Sequence, residues 1–213
     1  MTDFKKRIVC SSTILCVGIL LVCGTIGKAK DPLPKLRKQT IQVTELMKAG
    51  KFQEAKKLAK KFASQEDEHY YTLLLFEPSK KKGLGFGKGN DVFDGIELKI
   101  RYLAREPISK AELKDQSEDL LDLAYRTKAI NLILQHIPSK NAKKIWLMYG
   151  KEIDKRCGDF ILAVKKQNPS AVQFSASKIN SNCNYCHISY RLGFYPFKDS
   201  LYFPSYSYWH AMP

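Results

Sequence analysis

The sequence lacks most of the features that mark the common classes of enzyme and nucleic-acid-binding protein. It has no internal repeat and no low-complexity tract. It also has no Ser/His/Asp constellation and no second metal cluster, so we predict that it is not an enzyme. Acidic residues are also scarce: 21 Asp and Glu stand against 36 Lys and Arg, a formal net charge of +15. This charge favours an acidic protein or an anionic membrane surface as a partner, with a solvated basic surface as the alternative. The chain has no nucleic-acid-binding motif, so nucleic acid is not expected.

A phosphate-binding loop is also missing, although one segment superficially suggests it. Residues 80–90 read KKKGLGFGKGN, with glycines at alternate positions. Neither the dinucleotide-binding pattern nor the P-loop pattern fits this spacing. We therefore interpret residues 79–90 as a flexible, basic loop without a nucleotide site.

The N-terminus has the plan of an export signal. The basic segment Lys5-Lys6-Arg7 precedes an almost purely apolar run from Ile8 to Cys23, and small residues follow. We predict that residues 1–29 are a signal peptide and that the protein is periplasmic. Two alternatives stay open, namely an uncleaved membrane anchor and lipidation at Cys23.

Five consecutive residues near the C-terminus, Cys183-Asn184-Tyr185-Cys186-His187, form a C-x-x-C-H motif. This spacing is typical of covalent haem attachment, because two thiols add to the vinyl groups of one porphyrin and the following imidazole binds the iron. Cys183 and Cys186 are therefore the predicted attachment residues for one haem c, and His187 is the predicted iron ligand. Bacterial haem attachment takes place outside the cytoplasmic membrane, so the motif and the export signal support each other.

The sequence leaves three other interpretations of the motif open. A thioredoxin-like redox pair belongs at a strand-to-helix turn, and no such unit is indicated. A zinc site needs four ligands, and outside the motif the mature chain offers only unpaired candidates: Cys157, His69, His136 and His210. A chance occurrence on a surface helix would leave an exported structural bundle without haem.

Hydrophobic periodicity predicts an all-α fold. The predicted helices span residues 36–48, 52–76, 95–105, 110–137, 142–167 and 169–192, with Asp94 as one cap and Ser109 with Glu112 as a capping box. Four of them are long and joined by short connections, which predicts an up-down-up-down four-helix bundle with extra short N-terminal helices. The predicted domains are a signal peptide (1–29), a linker and short helix (30–50), the bundle (51–192) and an irregular aromatic C-terminal tail (193–213).

The apolar rows of these helices place the motif inside the bundle. On the last helix the row contains both motif cysteines as well as Val172, Ala176 and Ile179. Cys157 lies on the row of the preceding helix, so we interpret it as a buried, inert thiol. His136 falls off its row and is expected to be partly exposed. For Arg126 the sequence leaves two alternatives open: its side chain reaches a haem propionate, or it lies in solvent.

Residues 183–191 read CNYCHISYR, and Trp146 lies early in the preceding long helix. In these features the chain resembles the class II cytochromes c, the cytochrome c′ family, over residues 51–192. The resemblance implies a haem motif near the end of the fourth helix, thioethers at Cys183 and Cys186, iron ligation by His187, and Arg191 near the haem. It also makes a homodimer a candidate assembly, because members of the family often dimerise.

The sixth iron ligand decides between the functions that we expect. Antiparallel first and last helices would place Leu58 and Phe62 near the iron, an apolar wall that favours a five-coordinate site binding NO or CO. A shifted helix would bring His69 to the iron instead, and Met47 is a further option. Six-coordinate iron favours electron transfer with a periplasmic or membrane redox partner. We rank electron transfer first, gas binding second and a weak peroxidase third.

Overall fold

A computed structural model describes residues 33–65, 71, 74–75, 83–86, 95–137 and 143–191, with the backbone alone for residues 143–145 and 187–191. Helices, turns and short connections make up these ranges, without a strand, so the predicted all-α fold is confirmed for them. The predicted signal peptide, the tail over 193–213, His69 and His210 lie outside the described residues. None of the helices within the described ranges is long and apolar enough to cross a bilayer.

The first two helices form a hairpin. α1 spans Leu33–Lys48 and α2 spans Phe52–Ala63. Gly50 in the turn between them has a φ of 73°, a left-handed conformation that glycine adopts without strain. α1 begins within the predicted linker and includes Pro34, which the first turn of a helix accepts because its first N–H groups have no partner in the helix.

The predicted helix over 52–76 is interrupted, because α2 ends at Ala63. There the hydroxyl of Ser64 donates to the carbonyl oxygen of Lys61 at 2.8 Å, and this local bond occupies one of the last carbonyls of the helix. Helical residues resume further along the chain, and those that the structure describes are buried: Tyr71, Leu74 and Leu75.

The predicted helix over 110–137 is also divided in two. α3 spans Ile96–Arg105, α4 spans Lys110–Asp115 and α5 spans Ser117–His136. Gln116, with φ of −91° and ψ of 7°, separates α4 from α5, and its side-chain oxygen accepts a hydrogen bond from Lys99 at 2.9 Å. Hydrophobic periodicity does not reveal a contact between residues this far apart, so it did not predict the division.

The helix caps were predicted correctly in one case and wrongly in another. Ser109 accepts from the backbone N–H of Glu112 while the Glu112 carboxylate accepts from the N–H of Ser109, so the capping box at α4 is confirmed. The N-cap of α3 is Gly95 and not Asp94. Gly95 makes no side-chain cap and holds an extended backbone, with φ of −72° and ψ of 144°.

The last two helices, α6 (Lys143–Lys165) and α7 (Pro169–Arg191), are joined by a tight turn. Gln167 takes a left-handed φ of 51°, and the N–H groups of Gln167 and Asn168 reach back to carbonyls of the last turn of α6 at 3.0 Å. The side-chain oxygen of Asn168 then accepts from the N–H of Ala171 at 3.1 Å and caps α7. The predicted start of the last helix is therefore confirmed.

All of these helices contribute to one hydrophobic core. α5 and α6 pack antiparallel, and two side-chain bonds join them: Asn131 Nδ2 to the Gly150 oxygen at 2.7 Å, and Trp146 Nε1 to the Leu134 oxygen at 2.9 Å. α7 packs against α6 and α3, whereas α1 and α2 pack on each other and on α5. The predicted apolar rows of α1, α5, α6 and α7 are buried wherever the structure describes their side chains, except that Cys186 is half-buried.

We predicted that the helix beginning at residue 52 packs antiparallel to the last helix. In the structure α3 takes that place beside α7. Gln173, near the start of α7, donates to the carbonyl oxygen of Arg105 at the end of α3 at 3.3 Å, so the two helices run antiparallel. The prediction that Leu58 and Phe62 lie beside the motif is corrected, because α2 packs on α1 and α5. The apolar rows of α2 and α3 are similar, so hydrophobicity alone does not select between them.

Part of the Gly-rich segment is fixed to the helical core. Gly83, Leu84 and Gly85 are buried, which corrects the prediction of a flexible, basic loop for these three residues. Arg126 of α5 donates from Nη1 to the carbonyl oxygens of Leu84 and Gly85 at 3.2 and 3.0 Å, and its Nη2 pairs with Asp122 at 2.5 Å. The described partners of Arg126 are thus backbone carbonyls and a carboxylate.

Candidate haem-attachment site

The C-x-x-C-H motif lies within the last three turns of α7. The helix continues without a break from Cys183 through His187 to Arg191. Residues four apart in a helix share one face, so the backbone places Cys183, His187 and Arg191 in a single row. Cys186 lies about one turn after Cys183, on the adjoining row of the helix.

The two motif thiols differ in exposure. Cys183 is buried, with 8% of its surface exposed, and Cys186 is half-buried against the core. Both are free thiols. Burial, followed by the neighbouring Cys186 and Glu97, raises the pKa of Cys183 to about 12, and burial alone raises the pKa of Cys186 to about 12. The pair therefore stays protonated and undergoes little thiolate chemistry near neutral pH.

Two groups from other helices lie near Cys183. Cys157 on α6 is fully buried, and burial followed by the effect of Cys183 raises the pKa of the Cys157 thiol well above its usual range. This agrees with its interpretation as an inert core thiol. Glu97 on α3 is largely covered, and its pKa is raised by burial although Arg101 and Arg105 act to lower it. Glu97 is the charged group whose field acts on Cys183.

An aromatic pair holds the motif against α6. Tyr185, one of the two residues between the cysteines, is 37% exposed, and its ring stacks on that of Tyr149, with centroids 6.1 Å apart and planes 18° apart. Stacked rings of this kind contribute about 0.5–1.5 kcal/mol beyond the area that they bury. The turn that carries both cysteines is thus fixed on its neighbour by a direct side-chain contact.

The structure places the other predicted site residues as follows. The side chains of His187 and Arg191 lie outside the described residues, although their backbone is helical. Met47 is buried on α1, which packs on α2 and α5. His136 is half-buried as expected, and its pKa is lowered by burial and by the charges of Lys56 and Lys60. Among the described side chains, no three His, Cys, Asp or Glu residues form a metal-binding group.

Sequence reasoning missed two residues of this site. Tyr149 lies on the predicted core face of α6, but nothing in the sequence pairs it with Tyr185. Glu97 follows the first residue of the apolar row of α3, which is Ile96, Ile100 and Leu103. Its role near Cys183 follows only from the packing of α3 on α7, which periodicity does not reveal.

No protein-family model, curated protein or solved structure matches this chain. The chemistry of the site therefore rests on its own residues.

The described residues fit covalent attachment of a haem. Attachment needs two unpaired thiols at this spacing, and both cysteines are free and lie toward the packed region between α3 and α6. One thiol is covered and the other reaches the edge of the core, an arrangement that suits a planar group with one buried and one accessible edge. An iron ligand at position 187 belongs to the same helical face as Cys183.

Proposed function

We propose that the protein is an exported c-type cytochrome that carries one covalent haem and acts in electron transfer. The observation that carries the proposal is the motif itself, present on an unbroken helix with both thiols free and directed to the core. Cys183 and Cys186 would hold the haem by thioethers, and His187 would bind its iron. When bound, a haem supplies a one-electron iron couple.

The residues around the motif have roles that suit an electron carrier. Tyr149 and Tyr185 fix the turn that carries the cysteines. A haem bound to those cysteines would therefore keep one position. Cys157 and the apolar row of α3 exclude water from the Cys183 side. Cys186 and Tyr185 lie closer to the surface than Cys183, so a haem held there would be approached by a redox partner from the Cys186 side.

Gas binding by a five-coordinate iron is the alternative that the proposal must be tested against. The apolar wall that we predicted from Leu58 and Phe62 belongs to a different part of the core. The apolar residues of α3 offer another wall. The CO experiment below therefore distinguishes five-coordinate from six-coordinate iron.

The first test is covalent attachment in the exported protein. We expect an intact mass higher by one haem and an absorption spectrum whose haem stays with the chain after denaturation. Changing Cys183→Ser together with Cys186→Ser should abolish retention. The matched control is Cys157→Ala, which removes the third thiol near the site and should leave retention unchanged. A wild-type chain that loses its haem on denaturation, or carries none, would overturn the proposal.

The second test separates electron transfer from gas binding. CO is added to the reduced native protein, and the visible spectrum is recorded. A spectrum that is low-spin and indifferent to CO indicates a sixth protein ligand and supports electron transfer. A high-spin spectrum that shifts with CO supports gas binding instead.

A further inference from the structure

The exposed face of α2 carries a dense positive charge. Four lysines lie there within three turns, all exposed: Lys56, Lys57, Lys60 and Lys61. Across the described part of the chain none of them makes an ion pair, whereas the nearby Lys51 pairs with Glu54 at 3.8 Å. A lysine-rich face of this kind attracts anionic surfaces.

The positive field of this face acts beyond α2. His136 lies at the end of the neighbouring helix α5, and its pKa is lowered by burial and then by the charges of Lys56 and Lys60. The two lysines thus add to the potential around the end of α5.

An exposed phenyl ring lies in line with the lysines. Phe52, at the first position of α2, is 53% exposed. Phe52, Lys56 and Lys60 follow one another at intervals of four residues and so form one row along the helix, with Lys57 and Lys61 in the next row. An apolar ring beside several lysines matches peripheral contact with a bilayer, where apolar side chains enter the boundary between headgroups and acyl chains and lysines meet phosphates.

The opposite face of α2 is occupied by the core. Ala55, Ala59, Phe62 and Ala63 are buried. α2 therefore cannot lie down in a membrane as a free amphipathic helix, and contact is left to its exposed residues, which are the four lysines, Phe52, Gln53 and Glu54. Binding through such a face is peripheral, reversible and sensitive to salt.

We propose that the exposed face of α2, formed by Phe52, Lys56, Lys57, Lys60 and Lys61, binds the surface of a bilayer that contains anionic phospholipids. The lysines meet the lipid phosphates, and the ring of Phe52 enters the headgroup layer. This inference does not depend on haem attachment, so either proposal can fail without the other.

The experiment measures partitioning of the full exported protein onto vesicles by sedimentation. Vesicles of phosphatidylcholine alone are compared with vesicles that also contain phosphatidylglycerol. Each lysine at an anionic surface is expected to raise the partition coefficient about fivefold. Lys56→Gln with Lys60→Gln should therefore lower binding to the anionic vesicles about 25-fold. Added salt should weaken wild-type binding.

The matched control changes the same charge elsewhere. Lys110 and Lys114 of α4 are also exposed, and Lys110→Gln with Lys114→Gln should reduce binding far less. In Phe52→Trp, tryptophan emission should shift to the blue on addition of anionic vesicles, relative to the wild type. Far-UV circular dichroism checks that each variant keeps its helices.

Three results would overturn the proposal: no preference for anionic vesicles, equal losses in the α2 and α4 variants, or no emission shift from Trp at position 52. If the protein ignores vesicles but binds an acidic protein through Lys56 and Lys60, the face serves a protein partner instead.

Discussion

The rings of Tyr149 and Tyr185 stack with their centroids 6.1 Å apart and an angle of 18° between their planes. Tyr185 lies between the two motif cysteines, and Tyr149 is buried on α6. The contact joins the helix that carries the motif to its main neighbour. The contact therefore fixes the position of the two cysteines relative to α6 in the folded protein.

The first prediction concerns this pair. Tyr185→Ala and Tyr149→Ala, alone and combined, should show a coupling of about 0.5–1.5 kcal/mol in the free energy of unfolding, because each substitution removes the same stack. Urea denaturation measures all four proteins. Tyr185→Phe keeps the ring and should retain most of the coupling. Additive effects of the two Ala substitutions would show that the stack contributes nothing.

The second prediction concerns the buried thiol of Cys157. Burial and the nearby Cys183 raise its pKa in the folded state, so the folded chain keeps a proton that the unfolded chain loses above a pH of about 8.5. Its contribution to stability is therefore complete below that pH and is lost as the pH rises further. The expected loss is about 1.4 kcal/mol per pH unit from this group.

Urea denaturation of the wild type and of Cys157→Ala between pH 7.5 and about 10.5 measures this effect. The lysines titrate in both proteins, so the difference in slope belongs to Cys157. We expect a flatter dependence in the variant, whatever its stability at neutral pH. Parallel curves would contradict the prediction.

The third prediction concerns Arg126, which connects α5 to the carbonyl oxygens of Leu84 and Gly85 and also pairs with Asp122 on its own helix. Arg126→Met removes the donor to the Leu84 and Gly85 oxygens, whereas Asp122 keeps its bond from Lys48, and it should lower the free energy of unfolding by about 2–3 kcal/mol. Hydrogen exchange at the amide of Leu84, which bonds the Leu74 oxygen at 3.0 Å, should accelerate as the segment loosens.

Arg156 offers a matched control. It makes two ion pairs, with Glu152 at 2.6 Å and Asp159 at 3.2 Å, but both partners are on its own helix and partly exposed, and among the described residues it makes no hydrogen bond to another segment. Arg156→Met should therefore change stability by less than about 1 kcal/mol. Equal losses from the two arginines would mean that the contact of Arg126 with the Gly-rich segment adds no stability.

The sequence predicted the regular parts of this fold well. The apolar rows of α5 and α6 are buried at Leu123, Ile130, Ile153 and Phe160, because a period of 3.6 residues reports directly which face packs. The local signals at Ser109 and Asn168 also hold, because capping depends on residues only three positions apart.

The errors arise where contacts distant in sequence decide the outcome. Gln116 divides a predicted helix beside a bond from Lys99, and Arg126 fixes a glycine-rich segment that by composition alone suggests a flexible loop. At the site, the cysteines and their core-facing side follow from motif and periodicity. The roles of Tyr149 and Glu97 do not follow from these signals, because the periodicity of one helix does not reveal which other helices pack against it.

The fourth prediction compares two glycines within α6, Gly150 and Gly158. A Cβ added at Gly158 meets nothing within 4 Å, so Gly158→Ala should raise the free energy of unfolding by about 0.5–1 kcal/mol through helix propensity. A Cβ added at Gly150 would lie 2.8 Å from Cγ and 3.2 Å from Cδ of Gln135 on α5. Something must shift there, and the bond from Asn131 to the Gly150 oxygen at 2.7 Å resists separation of the helices. Gly150→Ala should therefore lower stability by about 1 kcal/mol despite the same gain in propensity.

Thermal or urea denaturation of both variants measures the contrast, and adding Gln135→Ala to Gly150→Ala should recover part of the loss. If both glycine substitutions stabilise the protein equally, the close approach of α5 and α6 at Gly150 does not constrain this fold.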